Sequence, residues 1–321
     1  MYCCAITIQQ IGGGIAAQKL FRQEGQDMTS ERIRIALQKS GRMAEDSLSL
    51  LKNCGLHIDR SKDQLFCRVK ELPIDLLFIR DDDIPGFVSN GICDLGIVGE
   101  NVFAETHAAE SEGFAASVLE RLGFSLCRLS IAVPENGAIK GIADLAGKTL
   151  ATSYPHLLRG FLKQQNIEAN TLLMTGSVEV APRLKIADAI CDIVASGTTL
   201  TANNLRELTV VLKSEALLIR GTQQFSPEKE ATIHRLLSRM RGALMAQDSK
   251  YIILNAPRSA VAEITQLLPG CDSPTVMDLN KEDMVAVHAV CKEAVFWETM
   301  EKLQSVGASA ILVVPIEKMT A

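Results

Sequence analysis

Residues Asp188–Leu200 read DAICDIVASGTTL. The apolar run Ala189, Ile190, Cys191, Ile193 and Val194 predicts a buried strand. It breaks into a small-residue turn, Ala195-Ser196-Gly197-Thr198-Thr199, and helix-compatible sequence follows from Leu200 through Leu205. A strand, a tight turn and a helix start make an anion site. Free backbone amides converge there, the helix dipole adds partial positive charge, and Gly197 lets the backbone approach a ligand closely. Ser196, Thr198 and Thr199 add hydroxyl donors, and Asp192 offers the acceptor that a ribose diol beside a phosphate needs. The same residues also fit an ordinary strand-to-helix turn capped by Ser and Thr. The rest of the chain has to decide between the two.

Upstream of that stretch, Gly176-Ser177-Val178-Glu179 is a glycine-serine turn with Glu179 near a helix start, as a capping carboxylate or as a ligand for a hydroxyl or nucleobase. Lys148–Ser153 predicts a strand, and Tyr154-Pro155 opens a helix carrying Leu158 and Leu162. Ser125–Val133 reads as a long strand placed to cross between domains, and Leu208–Leu212 and Ala216–Arg220 as strands that return the chain.

Further back, Ile33–Leu37 predicts a first strand ending in Gln38-Lys39-Ser40-Gly41-Arg42, followed by a helix through Leu48, Leu50, Leu51 and Cys54 and a stop at Gly55. A glycine turn flanked by cations at the C-terminal edge of a strand is where open α/β sheets bind ligands. A solvated loop with two surface cations is the plainer alternative. Leu65–Val69 and Ile74–Ile79 read as strands, and Arg80 leads into Asp81-Asp82-Asp83-Ile84-Pro85. The aspartates and Pro85 fit a helix start, without the cation that a metal cluster would require. Gly91–Gly99 is a glycine-punctuated buried strand in which Asp94 needs partners. So residues 30–220 alternate strands and helices with ligand-type turns at strand ends, which predicts a two-lobed α/β unit with a cleft.

Composition shifts near Gly221-Thr222-Gln223-Gln224, and Pro227 opens an amphipathic helix with Ile233, Leu236, Leu237, Met240, Leu244 and Met245. Beyond it come a strand (Tyr251–Leu254), a helix (Val261–Leu268), two strands (Thr275–Leu279 and Val285–Val290), a helix (Trp297–Leu303) and a strand (Ala310–Val314). This β-α-β-β-α-β order is ferredoxin-like. It carries no evident nucleophile or acid–base pair, which suits a regulatory or assembly role.

At 321 residues the chain has room for two or three domains. Its 47% hydrophobic and 22% charged residues are those of a globular protein. No apolar run approaches the roughly 20 residues that cross a bilayer, and the net charge of −5 argues against a nucleic-acid surface. Nine cysteines, odd in number and without a C-x-x-C pair, predict buried free thiols in a reducing, cytoplasmic setting rather than a zinc site. Residues 1–27 read as an upstream extension with little structure, with Met28 close to the natural start.

Taken together, IALQKSGR (Ile35–Arg42), PIDLLFIRDDDIPG (Pro73–Gly86), DLGIVGEN (Asp94–Asn101), ATSYPHLL (Ala151–Leu158), GSVEVAPR (Gly176–Arg183), DAICDIVASGTTLTANNLRE (Asp188–Glu207), FWETMEKL (Phe296–Leu303) and ILVVPIEKM (Ile311–Met319) resemble the long-form ATP phosphoribosyltransferases of histidine biosynthesis. The resemblance spans roughly Arg32–Met319, and the N-terminal extension departs from it. It implies an α/β catalytic unit with two lobes like those of periplasmic binding proteins, and a C-terminal ACT-like regulatory domain. The corresponding divisions are an extension over residues 1–29, lobe I over 30–130 and 212–224, lobe II over 131–211 and the regulatory domain over 225–321.

The implied reaction is attack by N1 of ATP on C1 of 5-phosphoribosyl pyrophosphate (PRPP), assisted by Mg2+, inhibited by histidine and run by dimers and hexamers. It calls on Ala195, Ser196, Gly197, Thr198, Thr199 and Leu200 for the 5-phosphate and on Asp192 for the ribose hydroxyls. Lys39, Arg42 and Arg80 are expected to meet pyrophosphate or ATP phosphates, and Asp94, Tyr154 and Glu179 the nucleotide and reacting centre. Asn255, Thr275 and Ala310 match the histidine site. A non-enzymatic solute-binding or sensor protein is the alternative, because that lobe architecture often only binds; it would have little use for the C-terminal module.

Overall fold

The computed structural model describes residues 32–61, 64–110, 113–268, 273–292 and 297–319, and the expected extension lies outside them. In chain order the elements are β1 (Ile33–Gln38), α1 (Arg42–Asn53), β2 (Phe66–Arg68), β3 (Ile74–Ile79), α2 (Ile84–Ser89), β4 (Leu95–Gly99), α3 (Glu100–Ala109) and β5 (Ala116–Arg121). Next come β6 (Cys127–Pro134), β7 (Thr149–Thr152), α4 (Pro155–Gln164), β8 (Asn170–Leu173), β9 (Ala189–Val194), α5 (Thr198–Ala202), β10 (Leu205–Ser214) and β11 (Ala216–Gly221). The last are α6 (Pro227–Gln247), β12 (Ser249–Pro257), α7 (Val261–Leu267), β13 (Thr275–Asp278), β14 (Met284–Lys292), α8 (Trp297–Ser305) and β15 (Ser309–Pro315). Two compact units result. One runs to Ala44 and takes in Arg60–Val69 and Pro73–Lys229; the other takes Glu45–Asp59, Lys70–Leu72 and the chain from Glu230 onward.

The first unit holds two sheets. In one, the order is β2-β3-β1-β4-β11-β5. Its centre is parallel, β1 pairing with β3 and β4. Ile33, Ile35, Ala36 and Leu37 are wholly buried, as continuous apolar strands of a parallel sheet covered on both faces should be. Parallel pairing brings the C-terminal ends of β1, β3 and β4 to a single edge. The other sheet runs β10-β6-β9-β7-β8. Leu129, Ile131, Val133, Leu150 and Leu158 fill one side of it, and Ala132, Ala151, Ile190, Val194 and Leu200 the other. The chain passes between these sheets at residues 122–126 and again at Glu215.

In the second unit, an antiparallel sheet of order β13-β14-β12-β15 packs Ile252, Leu254, Val285 and Val287 against Ile264 of α7 and Leu303 of α8. The β-α-β-β-α-β succession is the one its periodicity predicts.

Three local expectations are corrected. The helix expected at 200–205 is α5, earlier and shorter, and Leu205 instead opens β10. Gly197 at φ 84° starts the helix early and Asn204 at φ 55° reverses the chain after it. Neither β5 nor α3 is evident in the sequence, since β5 buries only Ala116 and α3 buries only Asn101 and Val102.

The third correction concerns Asp94. It stands just before β4, at the end of the sheet opposite the cleft-facing edge, about 16 Å from Gly99 at ~3.3 Å per strand residue. Its carboxylate is 2% exposed, accepting from the Arg34 amide (2.8 Å) and from Lys229 Nζ (2.7 Å). Its need for partners is met by these two donors, and through Lys229 it anchors the start of α6, at the end of β4 away from Gly99. Lys229→Met strands that carboxylate and should cost about 3 kcal/mol or more, read as a lower urea midpoint, part of which Asp94→Asn restores when added. An unchanged midpoint for Lys229→Met would show the pair to be energetically idle.

Candidate active site

The C-terminal edge of the first sheet gathers Lys39, Arg42 and Arg80 beside the carboxylates of Asp81–Asp83. β1 ends and the chain turns through Lys39-Ser40-Gly41 into Arg42, with the Lys39 amide on the Ile79 carbonyl at 2.8 Å. Lys39 and Arg42 are exposed. Arg80 follows β3 with its side chain 80% exposed, 3.8 Å from Asp82. Arg60, which sequence inspection overlooked, lies flat on the Phe78 ring at 3.7 Å and donates to the Lys39 carbonyl at 3.2 Å. It braces the turn that carries Lys39. Asp81–Asp83 form a short 3-10 turn ahead of Pro85, the helix start that their order predicts. Among the described residues no three His, Cys, Asp or Glu side chains are grouped to hold a metal.

The third strand end at this edge is Gly99. A Cβ there would lie 2.5 Å from Asn101 Oδ1, so the residue has to be glycine for α3 to begin as it does. Asn101 is 7% exposed and fully engaged. Its amide donates to Ser214 Oγ (3.0 Å), its Oδ1 accepts from the same hydroxyl (2.9 Å), and its Nδ2 donates to the Tyr154 hydroxyl (2.8 Å). One turn on, Glu105 accepts from the amides of His156 and Leu157 at 2.8 and 2.9 Å. These are first-turn donors of α4 with no helical partner, where a carboxylate is also favoured by the helix dipole. Two residues of α3 thus tie the first sheet's helix to the second sheet's Tyr154 and α4.

On the second sheet, Tyr154 is held by the Thr152 hydroxyl at its amide (2.9 Å) and by Asn101 at its ring oxygen. Burial pushes its phenol above the ordinary range, and the negative charges of Asp192, Asp82 and Asp81 push it further. Tyr154 therefore keeps its proton. With its oxygen already accepting from Asn101, that proton is free for an acceptor on a ligand. The structure brings Asp192, Asp82 and Asp81 each within electrostatic reach of Tyr154.

Asp192 lies two residues before the end of β9. Burial raises its carboxyl above the usual range, the Ile193 amide opposes this at 2.8 Å, and the charge of Glu179 adds to it. Glu179 sits in a 3-10 turn, Val178–Val180, that follows Ser177 at φ 51°. Beyond β9, Ala195, Ser196, Thr198 and Thr199 are exposed while Leu200 is buried. Ser196 Oγ lies 2.8 Å from Thr198 Oγ1. The first α5 bond runs from the Thr201 amide to the Gly197 carbonyl at 3.1 Å, which leaves the Thr199 and Leu200 amides ahead of it without helical acceptors. Gly197 at φ 84° aims this turn outward.

Of the residues expected in the site, then, Lys39, Arg42 and Arg80 share one edge. Tyr154, Glu179, Asp192 and Ala195–Leu200 share the other. Asp94 belongs to neither. In the second unit, Asn255 pairs with Ser309 next to Ala310, which has φ 49°. Thr275 pairs with His288 on the far side of β14, so the chain alone joins Asn255 to Ala310 and leaves Thr275 apart.

The raised Asp192 carboxyl has a stability consequence. A carboxyl whose folded pKa lies above its unfolded value of about 3.9 costs folding free energy once it ionises, so its penalty is absent below that pH and complete at neutrality. Asp192→Asn should raise the melting temperature of the free protein at pH 7.5, and the gain should vanish near pH 3.5. A variant that melts below the parent at pH 7.5 would contradict the sign.

Residues 80–242 match the family described as ATP phosphoribosyltransferase, and residues 246–318 match its C-terminal domain. An ATP phosphoribosyltransferase of Maricaulis maris is 51% identical over 295 residues, 92% of this chain and 100% of the relative. Among solved structures, an ATP phosphoribosyl transferase (HisG:HisZ) complex from Thermotoga maritima superposes with a TM-score of 0.54 at 22% identity, covering 65% of this chain and 98% of that one. The alkanesulfonate-binding protein SsuA from Xanthomonas axonopodis pv. citri gives 0.44 at 15% identity, covering 65% and 72%.

Proposed function

The chain belongs to the ATP phosphoribosyltransferase family, and from that premise we propose how its two facing edges share the chemistry. The reaction moves the 5-phosphoribosyl group of PRPP to N1 of ATP and releases pyrophosphate, the opening step of histidine biosynthesis. The observation that carries the proposal is the exposed 195–200 turn, with amides and hydroxyls open just past the Asp192 carboxylate; in the proposal it works with Lys39, Arg42 and Arg80 of the other sheet.

The ribose 5-phosphate sits on the Thr199 and Leu200 amides and the hydroxyls of Ser196, Thr198 and Thr199. Asp192 accepts from the ribose hydroxyls. This aims the anomeric carbon across the gap. As the bond to pyrophosphate lengthens, that carbon gains cationic character and the leaving group gains negative charge. Asp192 and Glu179 favour the first. Lys39, Arg42 and Arg80 favour the second, and they also hold ATP phosphates. The adenine N1 lone pair carries no proton at neutral pH, so no general base is required. Rate comes from positioning and charge. Tyr154, held protonated, donates to a substrate acceptor.

Among the described residues no three carboxylate, His or Cys side chains are grouped as a metal cage, and Mg2+ held beside Asp82 and Asp83 would take most of its ligands from substrate phosphates and add positive charge where pyrophosphate leaves. Free histidine is the proposed inhibitor, held at Asn255 and Ala310 with Thr275 as the less supported member, on dimers or hexamers of the chain. The free thiols Cys54, Cys67, Cys93, Cys127, Cys191 and Cys291 suit work in the cytoplasm.

Protein mixed with ATP, PRPP and Mg2+, with pyrophosphatase to remove product, should accumulate phosphoribosyl-ATP by its ultraviolet absorbance. Folded protein that makes none refutes the activity. Thr199→Ala should weaken PRPP binding about tenfold, the usual worth of a hydrogen bond to a charged group, with ATP affinity and melting temperature little changed. A parental PRPP affinity would remove the phosphate from this turn.

A further inference from the structure

Behind the 195–200 turn lies a polar cluster that neither the reaction nor the family match assigns. Arg128 on β6 forks onto Glu207 of β10, Nε to Oε1 and Nη2 to Oε2, each at 2.6 Å. Its remaining nitrogen, Nη1, donates to the Ala195 carbonyl at 3.2 Å. Ser130 Oγ donates to Glu207 Oε1 at 2.7 Å and is wholly buried. Arg128 stands opposite Val194 in the β6–β9 register, and Ser130 opposite Asp192. Directly opposed residues of an antiparallel pair share a face, with Cβ atoms ~5 Å apart. The cluster therefore backs the same face of β9 that presents Asp192.

We infer that Arg128, clamped by Glu207, is a positioning residue for PRPP. It fixes the Ala195 carbonyl so that the Ser196 amide points outward and the turn leading to Thr199 and Leu200 starts from a fixed plane, and with Glu207 it draws away the one hydroxyl proton that would otherwise quench Asp192. This rests on the placement of the 5-phosphate at the 195–200 turn.

The geometry makes each part necessary. A peptide carbonyl held inward leaves the next amide facing the other way, because the peptide unit is planar and trans. Arg128 reaches that carbonyl only because its other two nitrogens are locked on one carboxylate, as a planar five-donor fork allows and a lysine ammonium does not. Ser130 has a single proton to give. Beside ionised Glu207, which can only accept, that proton goes to Glu207 and not across the strand to Asp192. Asp192 Oδ1 then has the Ile193 amide, and among the described residues no donor reaches its Oδ2, which stays open for a ribose hydroxyl.

The test is Arg128→Met, Arg128→Lys and Glu207→Gln in the full chain, with PRPP and ATP dissociation constants from calorimetry, steady-state KM for each substrate, kcat and melting temperature. PRPP affinity should fall about tenfold or more in Arg128→Met, which is 1.4 kcal/mol. It should fall severalfold in Arg128→Lys and Glu207→Gln. ATP affinity should stay within twofold, so the loss appears in KM for PRPP. If Arg128→Met does not fold, the two milder variants carry the same test. Parental PRPP affinity in all folded variants overturns the inference. So does an equal loss for PRPP and ATP that follows the melting temperature, which would make the pair a strand brace and nothing more. Thr199→Ala separates the two levels. If it weakens PRPP binding and the Arg128 variants do not, only this inference fails; if none of them matters, the phosphate placement fails with it.

Discussion

Everything at the facing edges depends on α3 reaching across from one sheet to the other. Asn101 spends its three polar atoms on Ser214 and Tyr154, and Glu105 satisfies the first free amides of α4. Removing Glu105 or Ser214 would orphan backbone amides, which no side-chain swap can take away, and removing one partner of a buried pair costs the full desolvation of the other. The geometry of these contacts also fixes more than the gap. Ser214 ends β10 immediately before Glu215, the second crossing of the chain, and Glu215 holds Arg121 and the Gly123 amide at the first crossing. Arg121 reaches on to Glu100, the first residue of α3. The two crossings, the helix start and the Tyr154 hydroxyl are thus joined in one network of contacts.

That network explains which parts of the site were legible in the sequence. The strand, turn and helix of Asp188–Leu200 could be read because their signals are local: apolar run, small residues, a glycine that takes positive φ. Lys39, Arg42 and Arg80 were legible for a similar reason, since cations in turns after parallel strands fall at one edge whatever the loops do. Asn101, Glu105, Ser214 and Arg128 were not. Each acts on a partner 50 or more residues away, and none belongs to a motif with a mechanism of its own. α3 also hid because its buried positions include an asparagine, which pattern reading counts as solvent-facing.

Asp94 shows a different limit. The rule that a buried carboxylate needs a partner was sound, and the partner proved to be Lys229, 135 residues on. Sequence alone could not say at which end of β4 the carboxylate would stand relative to ligand, because strand direction in the sheet decides it. Thr275, Asn255 and Ala310 show the same limit. Each lies in an element of the expected kind, but the order β13-β14-β12-β15 separates Thr275 from the other two, and that order is a property of pairing and not of any strand's own sequence.

Net charge is the remaining puzzle, since a chain at −5 has to hold two polyanions. Screening resolves it. At physiological salt, charges more than about 8 Å apart scarcely feel one another, so a phosphate at the 195–200 turn senses amides, hydroxyls and the near cations, and little of the overall balance. The carboxylates close by are not misplaced either. Asp192 is raised by burial and by Glu179, so leaving it ionised in the free protein costs stability, as does aiming Oδ2 at empty space. Under the proposed placement of the ribose, both costs would be relieved by its hydroxyl donors and by a carbon gaining positive charge. On the proposed placement, such a site is least comfortable when empty, which would favour the reacting sugar over a plain anion.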